Sequence, residues 1–233
     1  MKEKNILKSP LYKIIRYGYY FLTTNLLFLV CNLLFFIIFF SVPLLIENIV
    51  WYTVALIPAG PAWVALFFCM GLVVRQQELA PVKDFFRSYR ENLFLSLKFW
   101  SIQLVLLVIL LVDTLYFFSQ DNVFLGIFFG LVTVLVLLIC IIGLSMIATF
   151  TITLANVYRS SVVILWGFWK SQLLNMITLF SFGFLLYAFP SEMFLFIFAL
   201  LSFYFMRNQQ PVFEKMAERF SNQKGESAIE NKK

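Results

Sequence analysis

The sequence predicts an all-α fold: a polytopic membrane protein built as a six-transmembrane-helix bundle, with an interfacial amphipathic helix on the cytoplasmic side. Three observations lead there. Of 233 residues, 62% are hydrophobic and only 13% charged, against about half and about a quarter in soluble domains. Long apolar runs recur at the length needed to cross a bilayer core of about 30 Å, about 20 helical residues. The basic residues fall in alternate connections between those runs.

The expected spans are 17–42, 50–74, 98–118, 123–158, 171–189 and 193–206, within one helical domain over 1–220. The apolar run after Arg16 is too long for a signal peptide and no small-residue cleavage site follows it, so an uncleaved first helix is expected. The fourth run is long, 36 residues or about 54 Å as one helix, and must tilt or project past the membrane. The sixth is short, and Arg207 can snorkel to extend it. After 220 a polar, disordered cytoplasmic tail is expected at 221–233.

Charge tests this map. Lys13 and Arg16 precede the first span, Arg75 to Lys98 separate the second from the third, Arg159 and Lys170 the fourth from the fifth, and Arg207 to Lys233 follow the sixth. Together with Lys2, Lys4 and Lys8 these account for all 18 basic residues. The other connections hold Glu47, Asp113, Asp121 and Glu192 and no Lys or Arg. The positive-inside rule then places both termini in the cytoplasm. The net charge of +6 is a topology signal and requires no nucleic-acid partner.

Composition also narrows the chemistry. Histidine is absent, which removes the commonest general base and metal ligand. Cys31, Cys69 and Cys140 lie in different apolar runs, so neither a metal site nor a disulfide framework is expected. No phosphate-cradling loop occurs, and no carboxylate falls at mid-membrane depth, where proton-coupled carriers usually need one. No catalytic, metal-binding or cofactor-binding residue is assigned, and no enzymatic activity is expected.

The second span is interrupted by Pro58, Gly60 and Pro61. From Gly60 to Val74 there are fifteen residues, about 22 Å and too short to cross alone. The two prolines remove backbone donors and free carbonyls that need protein or water beside them. Two readings stand: a kink held by packing against neighbours, or an unwound segment lining a cavity. Below it, Ala62, Ala65 and Cys69 form a narrow face that lets another helix come close.

The interfacial helix is expected at 81–97. Val82, Phe85, Phe86, Tyr89, Leu93, Leu97 and Trp100 recur at helical spacing, with Lys83, Asp84, Arg87, Arg90 and Glu91 opposite. Pro81 and Asp84 suit its first turn. It is either a lipid-anchored elbow or a docking face for a partner. Elsewhere, Asn25 and Asn32 share a face of the first span, and Ser145, Thr149 and Thr153, with Asn156 nearby, share one on the fourth. Such residues suit interhelical hydrogen bonds or, alternatively, a polar pathway. Gly126 and Gly130 form a GxxxG, suited to packing within the chain or to a homo-oligomer.

Asn25, then Gly60-Pro61-Ala62 with Ala65-Leu66, then Asp84-Phe85-Phe86 with Tyr89 and Asn92, resembles in order and spacing the YesL-like family. That is a bacterial family of small polytopic membrane proteins, a domain of unknown function. The likeness is densest from Asn25 to Trp100, and 42–57 is longer here than is usual in that family. The resemblance implies an inner-membrane protein whose relatives lie near genes for carbohydrate uptake. The expectation is an accessory protein or assembly factor of a sugar ABC importer, and the alternative a small-solute transporter or channel in its own right.

Overall fold

The computed structural model describes residues 10–189 and 194–230. Among them there are ten α-helices and one 3₁₀ turn, and no strand. The helices are α1 (Pro10–Cys31), α2 (Leu33–Ser41), α3 (Ile49–Leu56), α4 (Ala59–Val74) and α5 (Pro81–Glu91). They continue with α6 (Leu93–Ser119), α7 (Val123–Thr149), α8 (Leu154–Gly167), α9 (Trp169–Ala188) and α10 (Ile197–Glu230). Four stretches are long and apolar enough to cross a membrane: Tyr12–Cys31, Leu93–Ser119, Val123–Thr149 and Trp169–Ala188. Ile46–Leu56 and Ala59–Val74, bent by 53° at their break, make a fifth if counted as one span.

α4 is the central element. Twelve of its sixteen residues are buried, and it touches α1, α5, α6, α7 and α10. Its small residues permit this: Ala62, Ala65 and Cys69 are wholly buried and leave room for neighbouring helices. Large apolar residues on the outer helices face outward instead, among them Ile109, Phe124, Phe180 and Phe184. In lipid that costs nothing, because the surrounding medium is as apolar as the side chain.

Several expected boundaries shift. The run 17–42 is divided at Asn32, where the buried amide donates from Nδ2 to the Phe28 carbonyl at 2.8 Å. The third span begins at Leu93 rather than Lys98, because the amphipathic helix stops at Glu91 and Asn92 forms the junction. The 36-residue fourth helix does not exist as one piece. α7 ends at Thr149, Phe150 and Thr153 are extended, and α8 starts afresh at Leu154. The physical reason is the run Thr149–Phe150–Thr151–Ile152–Thr153, β-branched at four of five positions, which disfavours helix and suits extended backbone.

α9 occupies almost the expected fifth span. α10 is helical from Ile197 past Pro211 to Glu230. It therefore takes in 221–230, the stretch expected as a polar tail, while residues 231–233 lie outside those described. Glu192 and the start of the sixth expected span lie outside them too.

Two helix ends close by left-handed residues. Gln76 (φ 56°) follows α4, with Gln77 N–H on the Leu72 carbonyl at 2.9 Å and Gln76 N–H on that of Val73 at 3.1 Å. Asp121 (φ 55°) does the same for α6, through Asn122 N–H to Phe117 and Asp121 N–H to Phe118. Both are Schellman closures, which satisfy carbonyls that the helix itself cannot.

Candidate functional site

The break at Pro58–Pro61 is filled. Ala59, Gly60, Pro61 and Ala62 are all buried. Trp100 of α6 lies directly against Gly60, where any side chain would overlap the indole. Its Nε1–H donates to the Leu56 carbonyl at 2.7 Å, an acceptor at the end of α3 beside the break. A freed carbonyl in an apolar medium needs such a donor. Of the two readings left open by the sequence, this geometry is that of a packed kink. Trp100 is the residue that sequence reasoning undervalued: it ranked only as an apolar position, though an indole is also a donor.

Of the two readings its sequence position allowed, Asn25 takes the interhelical hydrogen bond. It is fully buried, and its Oδ1 accepts from the backbone N–H groups of Phe198 and Ala199, both at 3.1 Å. Its Nδ2 donates to the Phe194 carbonyl at 3.1 Å. One amide from α1 thus caps the N-terminus of α10 from outside that helix, satisfying donors that have no intrahelical partner. Asn25 lies nine residues beyond Arg16, roughly 13 Å along α1. α10 therefore starts beside a point about two-thirds of the way along α1, six residues before its end. Around this point Phe28 packs on Trp63 and Phe198 at 4.7 and 4.9 Å, and Trp63 on Phe198 at 5.9 Å. The starts of α4 and α10 meet through this aromatic plug.

The other polar residues divide. Ser145 and Thr149 bond carbonyls of their own helix, Ile142 and Ser145, each at 2.8 Å. Thr153 and Asn156, with Met146, Phe150, Thr151, Ile152, Ser160 and Met216, line a cleft of about 860 Å³ at the α7–α8 break. Gly126 packs under the Phe118 ring and Gly130 near Thr114, so the GxxxG seats α7 on α6 within the chain. A buried amide cluster between α9 and α10 was not foreseen. Asn175 and Gln209 donate to Gln172 Oε1 at 3.0 and 3.3 Å, and Asn208 donates to Asn175 Oδ1 at 3.2 Å. The signal in the sequence was Gln172–Asn175 one turn apart, unused because no partner was assigned.

The amphipathic helix α5 is held firmly. Asp84 Oδ2 accepts from Ala80 N–H at 2.9 Å, closing the helix start, and Oδ1 pairs with Arg87 at 3.1 Å. Arg87 in turn lies over the Phe68 ring at 5.4 Å. Phe85 and Phe86, expected to act together, are separated: Phe85 is 0% exposed in the core, while Phe86 is 37% exposed. Helical geometry requires this, since adjacent residues point about 100° apart. Tyr89 stacks on Phe85 at 6.4 Å, and burial, with Cys31 nearby, pushes its phenol pKa up. Asn92 donates from Nδ2 to the Ser88 carbonyl at 3.1 Å and so closes α5. The outward face keeps Phe86 with Lys83, Arg87, Arg90 and Glu91 around a hollow of about 430 Å³.

Apolar helices of membrane length, an interior packed around small residues and kinks satisfied from neighbouring helices define a helical membrane protein. Residues 44–114 match the family model described as "Protein of unknown function, DUF624", with which the YesL-like resemblance is consistent. The match spans the break, α4, α5 and most of α6, the part that carries Gly60, Trp100 and the α5 face. No curated protein and no solved structure matches the chain.

Proposed function

We propose that the protein is a non-enzymatic accessory subunit or assembly factor, embedded in the bacterial cell membrane and associated with a carbohydrate importer. The observation that carries this reading is the outward face of α5. A rigidly anchored helix presents Val82 and Phe86, both exposed, among Lys83, Arg87 and Arg90. Aromatic and arginine side chains together are what interface centres favour. The sugar importer as partner is carried by the YesL-like resemblance alone.

In this reading the chain crosses six times, with both termini in the cytoplasm and α5 at the cytoplasmic interface. The sixth crossing is completed by the apolar start of α10, Ile197–Met206, which begins at mid-depth because Asn25 supplies its cap. That placement puts every basic residue of the described connections on one side.

The test is association with an importer permease in native membranes. Phe86→Ser and Arg90→Glu should release the permease while the protein still inserts and folds. Retention of the permease by both variants would place the contact elsewhere.

One observation favours a second reading, a small-solute transporter. α4 and α10 both begin inside the apolar layer, as half-helices do around transporter sites. The aromatic plug of Phe28, Trp63 and Phe198 fills the place a solute would need. Solute flux in reconstituted vesicles, raised by Trp63→Ala, would favour transport.

A further inference from the structure

A groove between the start of α1 and the loop after α4 is built from groups that need a charged partner. It holds about 210 Å³ and is lined by Lys13, Arg16, Tyr17, Tyr20, Val73, Gln76, Gln77 and Glu78. The Arg16 guanidinium leans on the Tyr12 and Tyr17 rings at 5.9 and 6.0 Å, which fixes its direction. Its Nε is buried and has no hydrogen-bond partner. Lys13 is exposed. Among the described residues the ion pair formed is Asp84–Arg87, so neither cation of the groove is neutralised by Glu78. The floor is fixed by the Schellman closure that puts Gln76 at φ 56°.

The groove also sits at a particular depth. α1 becomes apolar immediately beyond Arg16, and Tyr12–Cys31 is a stretch of membrane-crossing length. Lys13, Arg16, Tyr17 and Tyr20 therefore stand where an apolar core gives way to headgroups, the level that amphipathic rings prefer. An arginine whose Nε has no partner, beside a second cation, suits a phosphate group. Glu78 adds an acceptor at the same groove. It would repel a second negative charge and would hold a hydroxyl or primary ammonium.

We propose that this groove binds one phospholipid headgroup, with Arg16 and Lys13 on the phosphodiester and Glu78 on a hydrogen-bond donor at the far end of the headgroup. The class includes phosphatidylglycerol and phosphatidylethanolamine. It excludes phosphatidylcholine, whose trimethylammonium cannot donate. The site is independent of the α5 face, since no residue is shared between the two.

The experiment is native mass spectrometry of the full chain, purified in detergent and titrated separately with the three lipids and with inorganic phosphate. The expected result is one retained phosphatidylglycerol or phosphatidylethanolamine per chain, at least about tenfold tighter than phosphatidylcholine. Lys13→Gln and Arg16→Gln should each weaken retention about fivefold. Glu78→Gln should weaken phosphatidylethanolamine more than phosphatidylglycerol. Equal retention of phosphatidylcholine, or unchanged retention in both cation variants, overturns the proposal. Displacement of the lipid by inorganic phosphate at equal concentration would make this a free-anion site, which also overturns it. Lys13 is exposed and contributes nothing to the core, so its variant remains informative if Arg16→Gln fails to fold.

Discussion

At the residue scale, the amides and the indole that bond across helices decide more than the residues that look conspicuous in sequence. Seen alone on an apolar helix, Asn25 suits an interhelical hydrogen bond or a polar pathway, and its amide is engaged by the start of α10 and by the Phe194 carbonyl just before it. Asn25→Leu is therefore expected to destabilise the fold, leaving two buried N–H donors unmet at about 1–3 kcal/mol each. Thermal unfolding in detergent checks this, with Asn25→Ser recovering part of the loss through its hydroxyl. An Asn25→Leu protein as stable as the parent would show that the cap contributes little. The Phe85–Phe86 pair gives the companion prediction. Phe85→Ser opens a cavity in the core and buries a hydroxyl, a cost of about 3–5 kcal/mol or more. Phe86→Ser should leave the melting point within a few degrees. No sequence rule separates these two without knowing which face α4 covers.

At the element scale, the break between α7 and α8 is the feature least expected from hydropathy. The run 123–158 reads as one helix because every residue but a few is apolar, and apolarity does not distinguish helix from extended chain. The signal was the cluster of β-branched residues at 149–153, a weak propensity term that a long periodic pattern outvotes. The consequence is a difference in tolerance to proline. Ile142→Pro, inside α7, should cost about 3 kcal/mol or more. Thr151→Pro, in the extended link, should cost clearly less, as measured by the same unfolding assay. Similar losses at both sites would mean that the link is held more tightly than its backbone suggests. The α3–α4 break, by contrast, was legible: two prolines with a glycine between them announce it. What was not legible is that Trp100, forty-four residues after Leu56, supplies the missing donor. Gly60→Ala should accordingly displace that indole and destabilise the protein, whereas Gly18→Ala, with open space around it, should not.

For the whole molecule, the class, and with it the proposed orientation, rests on bulk quantities that no single contact alters. The hydrophobic fraction, run lengths and the one-sided distribution of Lys and Arg were readable at once. The proposed sixth crossing was the least legible, because the fourteen residues 193–206 fall short of the about 20 that a span needs. In that proposal α10 starts at mid-depth, capped by Asn25, and needs only about ten residues to leave the apolar layer. The six-crossing proposal predicts that Asp121→Cys is labelled from outside intact cells by a membrane-impermeant maleimide, and that Arg159→Cys and Lys215→Cys are not. Labelling of Lys215→Cys from outside would leave five crossings and move the end of α10 across the membrane. The native cysteines form no disulfide, and all three are half-buried or buried.

The account's central claim is that the α5 face engages a partner. The most direct measurement tags the full chain, extracts native membranes into lipid nanodiscs and quantifies what co-purifies, with Phe86→Ser beside the parent. The predicted result is an importer permease present in stoichiometric amount with the parent chain and lost with Phe86→Ser, at unchanged protein yield. A chain that emerges alone, and that conducts a small solute when reconstituted, would contradict it.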